Sequence, residues 1–178
     1  GWNSWDCYGA SVTEKELKQN ADYMAEHLKK YGWEYIICDI QWYEPTADSS
    51  HYHKFADLCM DEYGRLIPAE NRFPSAAGGK GFREIADYIH GKGLKFGIHI
   101  MRGIPRQAVA KNVTIKGTSY TARQVAHPAS ICCWNSDMYG VDSTQPGAQE
   151  YYDSILELYA SWGVDYIKVD RKSTRLNS

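Results

Sequence analysis

A lysine and two aspartates are the residues of this chain whose types and spacing best suit chemistry. Asp170 ends the segment 163–170 and follows Lys168 by two residues, so both side chains should project from one face of a strand. Asp39 ends the segment 32–39, and in both segments the aspartate stands seven residues after a glycine. An ionised carboxylate with a cation beside it could act as the nucleophile in glycoside hydrolysis.

The same residues permit other interpretations. Lys168 and Asp170 could form a salt bridge that is only structural. Lys168, if desolvated near a carboxylate, could form a Schiff base with a carbonyl substrate, as aldolase lysines do, and borohydride trapping would reveal it. A third possibility is a non-catalytic carbohydrate-binding domain, which would keep aromatic rings for stacking but lack a second catalytic carboxylate.

Four strand-like segments separated by three helical patterns should position these residues. The segments are residues 1–5, 35–40, 94–101 and 163–170. Thr13 and Glu16 match a capping box that begins a first helix ending at Gly32. Apolar residues at helical spacing predict a second helix around 82–89 and a third after Pro146. Parallel strands in this order bring Asp39 and Asp170 to the same, carboxyl end of a sheet, where α/β proteins build their sites.

The predicted fold class is α/β, and the architecture is a partial (β/α)₈ TIM barrel. Such a barrel usually needs about 250 residues, whereas this chain has 178. Residues 1–170 should therefore supply about four βα units, truncated after the fourth strand. Residues 171–178 have no apolar periodicity and are interpreted as an unstructured or foreign tail.

Composition excludes some partners and leaves others open. The 20 basic and 22 acidic residues nearly balance, so neither nucleic acid nor a membrane surface is implied as a partner. The many tyrosines and tryptophans fit either a large core or a ligand that stacks on exposed rings. The cysteines have no zinc-site spacing, and their odd number does not decide disulfide pairing; they are Cys7, Cys38, Cys59, Cys132 and Cys133.

Two long connections, 46–79 and 104–145, are polar and interrupted by proline and glycine. His51 and His53 could begin a metal site, but no third ligand stands at a suitable spacing, so a solvated loop is favoured. Trp134, beside polar residues in the second connection, should either line a cleft or pack within its loop.

Several motifs together resemble glycoside hydrolase family 27, the α-galactosidase or melibiase type. They occur in family order along residues 1–170, at 1–5 (GWNSW), 35–39 (YIICD), 61–66 (DEYGRL), 72–74 (RFP), 93–98 (GLKFGI) and 162–170 (WGVDYIKVD). Each motif alone is weakly specific, whereas the ordered set is strongly specific. The resemblance implies a (β/α)₈ catalytic barrel followed by a β-sandwich domain, no cofactor and no metal, a carbohydrate substrate, and a secreted or periplasmic location.

The resemblance also implies roles for individual residues. Asp170 would be the nucleophile, Lys168 and Asp39 would bind sugar hydroxyls, and Trp5 would line the sugar subsite. The family's acid/base aspartate would lie beyond the fourth strand, so no residue here is assigned to it. Hydrolysis of terminal α-galactosides or closely related sugars by a retaining double displacement is therefore expected of the complete protein. The 178-residue chain alone is expected to be inactive and to associate through open strand edges.

Departures from the family pattern concern sugar choice. The galactosidases commonly have two aspartates at the end of the second strand, whereas here Ile40 follows Asp39. The third strand ends with His99 and Arg102 where the galactosidases have an acid-containing sequence. We expect weak binding of plain galactosides unless another group replaces the lost carboxylate. His99 and Arg102 are candidates for that replacement, and Trp42 is a further candidate contact for the substrate.

Overall fold

The computed structural model describes residues 1–170, so the predicted tail at 171–178 lies outside the described residues. Seven strands are present: β1 (Trp2–Asn3), β2 (Tyr35–Cys38), β3 (Lys95–Met101), β4 (Ile104–Pro105), β5 (Ala126–Ile131), β6 (Met138–Val141) and β7 (Tyr166–Asp170). Six α-helices accompany them: α1 (Trp5–Tyr8), α2 (Glu14–Tyr23), α3 (Arg83–Gly91), α4 (Arg106–Lys111), α5 (Ala122–Val125) and α6 (Ala148–Ser161). Within the described residues, no helix is long and apolar enough to cross a bilayer.

The main sheet contains four strands in the order β1-β2-β3-β7, and every neighbouring pair is parallel. The predicted α/β class with a parallel sheet is therefore confirmed. Strand β3 is almost completely buried, as expected of a parallel strand covered on both faces. The register pairs His99 with Lys168 and Met101 with Asp170. Asp39 follows β2 directly, so Asp39 and Asp170 lie at the same end of the sheet, as predicted.

Helix α2 begins where its capping box predicts. The Thr13 backbone N–H donates to Glu16 Oε2 over 2.8 Å, and the Glu16 backbone N–H donates to Thr13 Oγ1. The predicted helix as far as Gly32 is only partly correct, because the chain changes to a π-helical turn at Met24–Leu28 and a 3₁₀ turn at Lys29–Tyr31. Gly32 then ends the segment with φ 87°, a left-handed conformation that favours glycine.

An aromatic cluster forms the core between the main sheet and its helices. The Trp42 side chain is fully buried and meets the rings of Phe82, Tyr159 and Trp162 edge-on, with centroids 5.2–6.2 Å apart. Gly81, at φ +57°, precedes the Phe82 ring, and a Cβ there would collide with the Trp162 indole. Close packing of these rings therefore requires glycine at position 81.

The connection between β3 and α6 contains regular structure that the sequence pattern does not predict. Residues 104–141 form α4, α5 and a three-stranded antiparallel sheet in the order β4-β6-β5. We call this segment the inserted sheet. Its strands are short, β4 and β5 contain proline, and β5 is mostly exposed, so their hydrophobic alternation is too weak to indicate strands.

Candidate functional site

The Asp39 carboxylate is buried at the end of β2 and paired with a lysine. Its Oδ2 accepts a 2.7 Å hydrogen bond from Lys168 Nζ, and its Oδ1 accepts a 2.6 Å bond from the Ile40 backbone N–H. Burial opposes ionisation, but these two bonds and the nearby Lys168 and His99 hold the pKa of Asp39 below its ordinary value. Asp39 is therefore an ionised acceptor at neutral pH.

Asp170, at the end of β7, contacts a histidine on the neighbouring strand. Its Oδ2 lies 3.1 Å from His99 Nε2, and its side chain is 38% exposed whereas that of His99 is fully buried. Burial lowers the pKa of His99 despite the opposing influence of Asp39 and Asp170. A neutral His99 can then donate its Nε2–H to the Asp170 carboxylate.

These groups meet at an open pocket of about 290 Å³ at the carboxyl end of the sheet. The residues that line the pocket come from five separate parts of the chain: Trp5, Asp39, Ile40, Tyr52, Trp134, Lys168 and Asp170. The structure thus brings Trp5, Asp39, Lys168 and Asp170 together, as the sequence predicts. Lys168 donates a hydrogen bond to Asp39, which directly follows β2.

One wall of the pocket is aromatic. The rings of Trp5 and Tyr52 are stacked with centroids 6.0 Å apart, and the Trp134 ring lies 5.4 Å from that of Tyr52. Burial and the negative charges of Asp39 and Asp170 raise the pKa of Tyr52 to about 12, so its phenol stays protonated. Trp134 therefore lines the cleft, which was one of its two predicted positions.

Two polar contacts that sequence analysis missed hold the pocket's loops in place. Ser4 is buried, and its Oγ accepts a 2.9 Å bond from the Asp39 backbone N–H. Asp137 directly precedes β6. Its carboxylate accepts hydrogen bonds from Gln41 Nε2 (3.0 Å) and from the Tyr43 hydroxyl (3.1 Å). Burial raises the pKa of Asp137. We call the hydrogen bonds of Asp137 to Gln41 and Tyr43 the Asp137 joint. They connect the loop that carries Trp134 to the residues that follow β2.

Three predicted substrate contacts are not in the pocket wall. Trp42 is wrong as a contact, because its indole is fully buried in the core and donates to the His99 carbonyl oxygen over 2.8 Å. His99 is fully buried and reaches Asp170 rather than open space. Arg102 is exposed, and its Nε donates to the Asp170 carbonyl oxygen over 3.3 Å. Neither His99 nor Arg102 is therefore positioned to replace the carboxylate missing at Ile40.

The histidine pair in the first long connection does not form a metal centre. His53 Nδ1 lies 3.4 Å from Glu44 Oε2, and the rings of His51 and His53 are 6.1 Å apart. Across residues 1–170, no three His, Cys, Asp or Glu side chains are arranged to hold a metal ion. All five cysteines are free thiols, and burial raises the pKa of Cys38 to about 12.

The fold and the site define a class: α/β proteins with a polar, ring-lined site at the carboxyl ends of parallel strands. Comparison with known proteins then identifies the family. Residues 4–145 match the melibiase family model described as α-galactosidase A. The chain belongs to this family, which confirms the resemblance to glycoside hydrolase family 27.

Individual relatives show how far the similarity extends. A family 27 β-L-arabinopyranosidase from Geobacillus stearothermophilus, solved with arabinose, is 66% identical with a TM-score of 0.97; the match covers 99% of this chain and 41% of that one. A Bacillus halodurans structure with a provisional α-N-acetylgalactosaminidase name is 67% identical with a TM-score of 0.94, covering 99% and 42%. The Coffea arabica α-galactosidase is 30% identical over 171 residues, which are 96% of this chain and 32% of that protein. The chain thus spans about a third of the length of the curated relatives it matches.

Proposed function

We propose that the complete protein is a retaining glycosidase that hydrolyses terminal α-galactosides or closely related sugars. One observation carries this proposal: Asp170 projects into an open, ring-lined pocket beside the Lys168–Asp39 ion pair. This pocket contains a carboxylate that can attack one carbon of a sugar ring. It also contains hydrogen-bond donors for the sugar hydroxyls and an aromatic wall on which the ring can stack.

In this mechanism the Asp170 carboxylate attacks the anomeric carbon, a new carbon–oxygen bond forms, and the bond to the leaving group breaks. The leaving oxygen takes a proton from an acid/base group that we do not assign among the described residues. Water then attacks the glycosyl–enzyme, with that group acting as base, and the Asp170 carboxylate is released. His99 would hold the attacking carboxylate in place through its 3.1 Å contact.

Lys168 and Asp39 would recognise sugar hydroxyls. An ammonium group has three N–H donors, so the 2.7 Å bond from Lys168 to Asp39 leaves donors for a ligand. Asp39, ionised and fixed by that bond, can accept from a hydroxyl at the pocket surface. A Schiff-base role for Lys168 is less well supported, because an ammonium paired with a carboxylate is not a nucleophile.

Ile40 points to the particular sugar. Ile40 lines the pocket where galactosidases of this family have a second carboxylate, and an apolar wall suits a sugar with fewer polar groups. A β-L-arabinopyranoside has the ring of an α-galactoside without its hydroxymethyl group. We therefore favour a β-L-arabinopyranoside over an α-galactoside, which agrees with the name of the Geobacillus relative.

We also infer that residues 1–170 are the first half of a (β/α)₈ barrel. The four parallel strands occur in chain order across the sheet, interrupted only by the inserted sheet. That order is the arrangement of successive barrel strands. With no acid/base group assigned within it, the 178-residue chain alone should be inactive.

Substitution of Asp170 in the complete protein tests the proposed function. Asp170→Asn keeps the size of the side chain but removes the nucleophile, so turnover of an aryl β-L-arabinopyranoside or aryl α-galactoside should fall by several powers of ten. Asp87→Asn is the matched control, because Asp87 is an exposed acid on α3, and its turnover should match that of the wild type. Near-normal turnover in Asp170→Asn would show that Asp170 is structural.

A further inference from the structure

Phe55 combines an exposed aromatic ring with an uncommon backbone conformation. Its side chain is 73% exposed, one of the largest exposed apolar surfaces among the described residues. Its backbone adopts φ 56°, which is rare for a bulky residue. Packing inside the chain accounts for neither feature, since most of the ring lies outside the core.

The backbone around Phe55 is nevertheless firmly held. Its N–H donates to Ser136 Oγ over 2.7 Å. Three residues later, Leu58 exchanges two hydrogen bonds with the Gln107 side chain, at 2.9 and 3.0 Å. The backbone that carries the ring is thus held between the first long connection, the inserted sheet and α4, so little backbone ordering is needed when a ligand binds.

A second pocket, of about 210 Å³, opens beside this ring. The Arg106 guanidinium lies 5.5 Å from the Phe55 ring centroid and 4.5 Å from that of Tyr139. Asp57 and Ser136 also line the pocket. A flat apolar ring face with a guanidinium, a carboxylate and a hydroxyl nearby matches a sugar, which has an apolar face and a polar rim.

The same two loops carry both pockets. Tyr52 and Trp134 line the first pocket, and Phe55 and Ser136 line the second. Tyr52 and Phe55 are three residues apart, so their Cα atoms are separated by at most about 11 Å. Trp134 and Ser136 are two residues apart, so theirs are separated by at most about 7 Å. The two pockets are therefore neighbours along both loops, with lining residues no farther apart than these spans.

We propose that the Phe55 pocket binds the sugar unit to which the terminal sugar is attached, so that the natural substrate is an oligosaccharide or polysaccharide chain end. This inference rests on the proposed function, because it assigns the leaving group of that reaction. Phe55 would stack on the leaving sugar, and Arg106 would donate to its hydroxyls.

The test compares two substrates of the complete protein that share one glycosyl group. The first is a disaccharide, and the second is the corresponding glycosyl fluoride, whose leaving group is too small to reach the Phe55 pocket. In Phe55→Ala, the ratio of kcat/KM for the disaccharide to kcat/KM for the fluoride should fall about threefold to tenfold, the range that a lost ring-stacking contact gives. Phe55→Asn, which suits the left-handed backbone, should show the same fall without backbone strain. Tyr31→Ala is the matched control, since Tyr31 is 72% exposed, and its ratio should not change.

A binding titration separates this inference from the proposed function. Melibiose or the arabinopyranosyl disaccharide is titrated calorimetrically into Asp170→Asn and into Asp170→Asn/Phe55→Ala. The second variant should bind the disaccharide about threefold to tenfold more weakly, but the free monosaccharide equally well. Equal disaccharide affinities, or an unchanged kcat/KM ratio, would overturn the Phe55 site and leave the proposed function intact. If the wild type hydrolyses neither substrate, the proposed function fails and the titration alone decides the inference.

Discussion

His99 contacts one carboxylate of the pocket, that of Asp170, and feels the charge of the other, that of Asp39. It is fully buried between Asp39 and Asp170, with Lys168 opposite it in the register. Its Nδ1 has no hydrogen-bond partner within residues 1–170. A second proton on this ring would therefore be buried without an acceptor, so acid should destabilise the fold at this position.

The pH dependence of stability tests this role. The folded-state pKa of His99 lies below its ordinary value, so the unfolded chain takes up the proton first. Stability should fall as the pH drops below about 6.5, the ordinary pKa of histidine. Asp39 also has a lowered pKa, but its contribution should be lost only below about pH 3.9.

His99→Gln, which keeps an amide donor near Asp170, should remove the loss of stability that begins below pH about 6.5. Urea unfolding of the chain and of this variant at a series of pH values measures the effect. The partly exposed His27, substituted by glutamine, is the control and should leave the pH profile unchanged. Identical profiles for the wild type and His99→Gln would contradict the assignment.

Ile40 should determine sugar choice. Ile40→Asp restores the carboxylate pair of the family, and a charge-assisted hydrogen bond contributes about 1.5–3 kcal/mol. The ratio of kcat/KM for an aryl α-galactoside to that for a β-L-arabinopyranoside should therefore rise about tenfold or more in the complete protein. Ile40→Asn controls for the change of shape without a new charge. A fall in this ratio, or the same change in both variants, would count against a carboxylate-specific contact.

Much of the pocket could be predicted from single residues, but not all of it. Asp39, Lys168 and Asp170 were predictable because strand spacing fixes which face and which end each one occupies. Tyr52 was not predictable, because it lies in an irregular connection where no periodicity gives its direction. The sequence suggested Trp42 as a substrate contact, but its side chain points into the core. Aromatic side chains at a strand end can point inward as well as outward.

At the scale of elements, Arg72 holds the loops that follow β1 and β2. It is buried, and its guanidinium donates to the carbonyl oxygens of Gln41 and Glu44 (2.7 and 2.8 Å) and of Ala10 and Val12 (2.5 and 2.9 Å). One side chain thus satisfies four loop carbonyls that no strand pairs. Gln41 adopts φ 64°, an uncommon conformation that this contact helps to maintain.

Arg72→Met should strongly destabilise the chain. Methionine keeps apolar bulk but leaves the buried carbonyls of Ala10 and Val12 without the guanidinium donor and those of Gln41 and Glu44 with only their backbone donors, so the free energy of unfolding should fall by at least about 3 kcal/mol. Chemical denaturation measures this change. Arg83→Met, at an exposed position of α3, is the control and should change stability by no more than about 0.5 kcal/mol. A similar small effect for Arg72→Met would mean that water satisfies the four carbonyls.

The elements divide into those that local signals determine and those that tertiary contacts determine. Helix α2 follows from its capping box, and β3 from a continuous apolar run. The inserted sheet has no comparable signal, because its strands are stabilised by pairing with one another and by the Asp137 joint. The Asp137 hydrogen bonds join residues 96 and 94 positions apart, which a short sequence window cannot reveal.

At the scale of the whole molecule, β7 is the least covered strand of the main sheet. Val169 and Tyr166 are 54% and 46% exposed, and within the described residues β7 pairs only with β3. Apolar side chains and an unpaired strand edge together favour association with another chain.

The isolated 178-residue chain should therefore associate as its concentration rises. Light scattering across a concentration series measures the mean molecular mass. A double variant, Tyr166→Thr with Val169→Thr, places β-branched threonine at both positions, which suits a strand, but reduces exposed apolar surface, and it should associate less. A chain that stays monomeric throughout the series would contradict both this expectation and the half-barrel inference.

The joint at Asp137 has a consequence for how such a protein can diverge. The residues proposed for bond cleavage stand on the main sheet, whereas Trp134, Ser136 and Arg106 belong to the inserted sheet and its helix. Two hydrogen bonds to Gln41 and Tyr43 fix one piece of chain against the other. Mutations at Ser136 and Arg106 can therefore remodel the proposed site for the leaving sugar without moving Asp39, Lys168 and Asp170, provided that an acceptor is kept at position 137. Part of the proposed substrate range thus lies on a stretch of sequence apart from the proposed nucleophile, so selection can alter which neighbouring sugar is accepted while it preserves the proposed reaction.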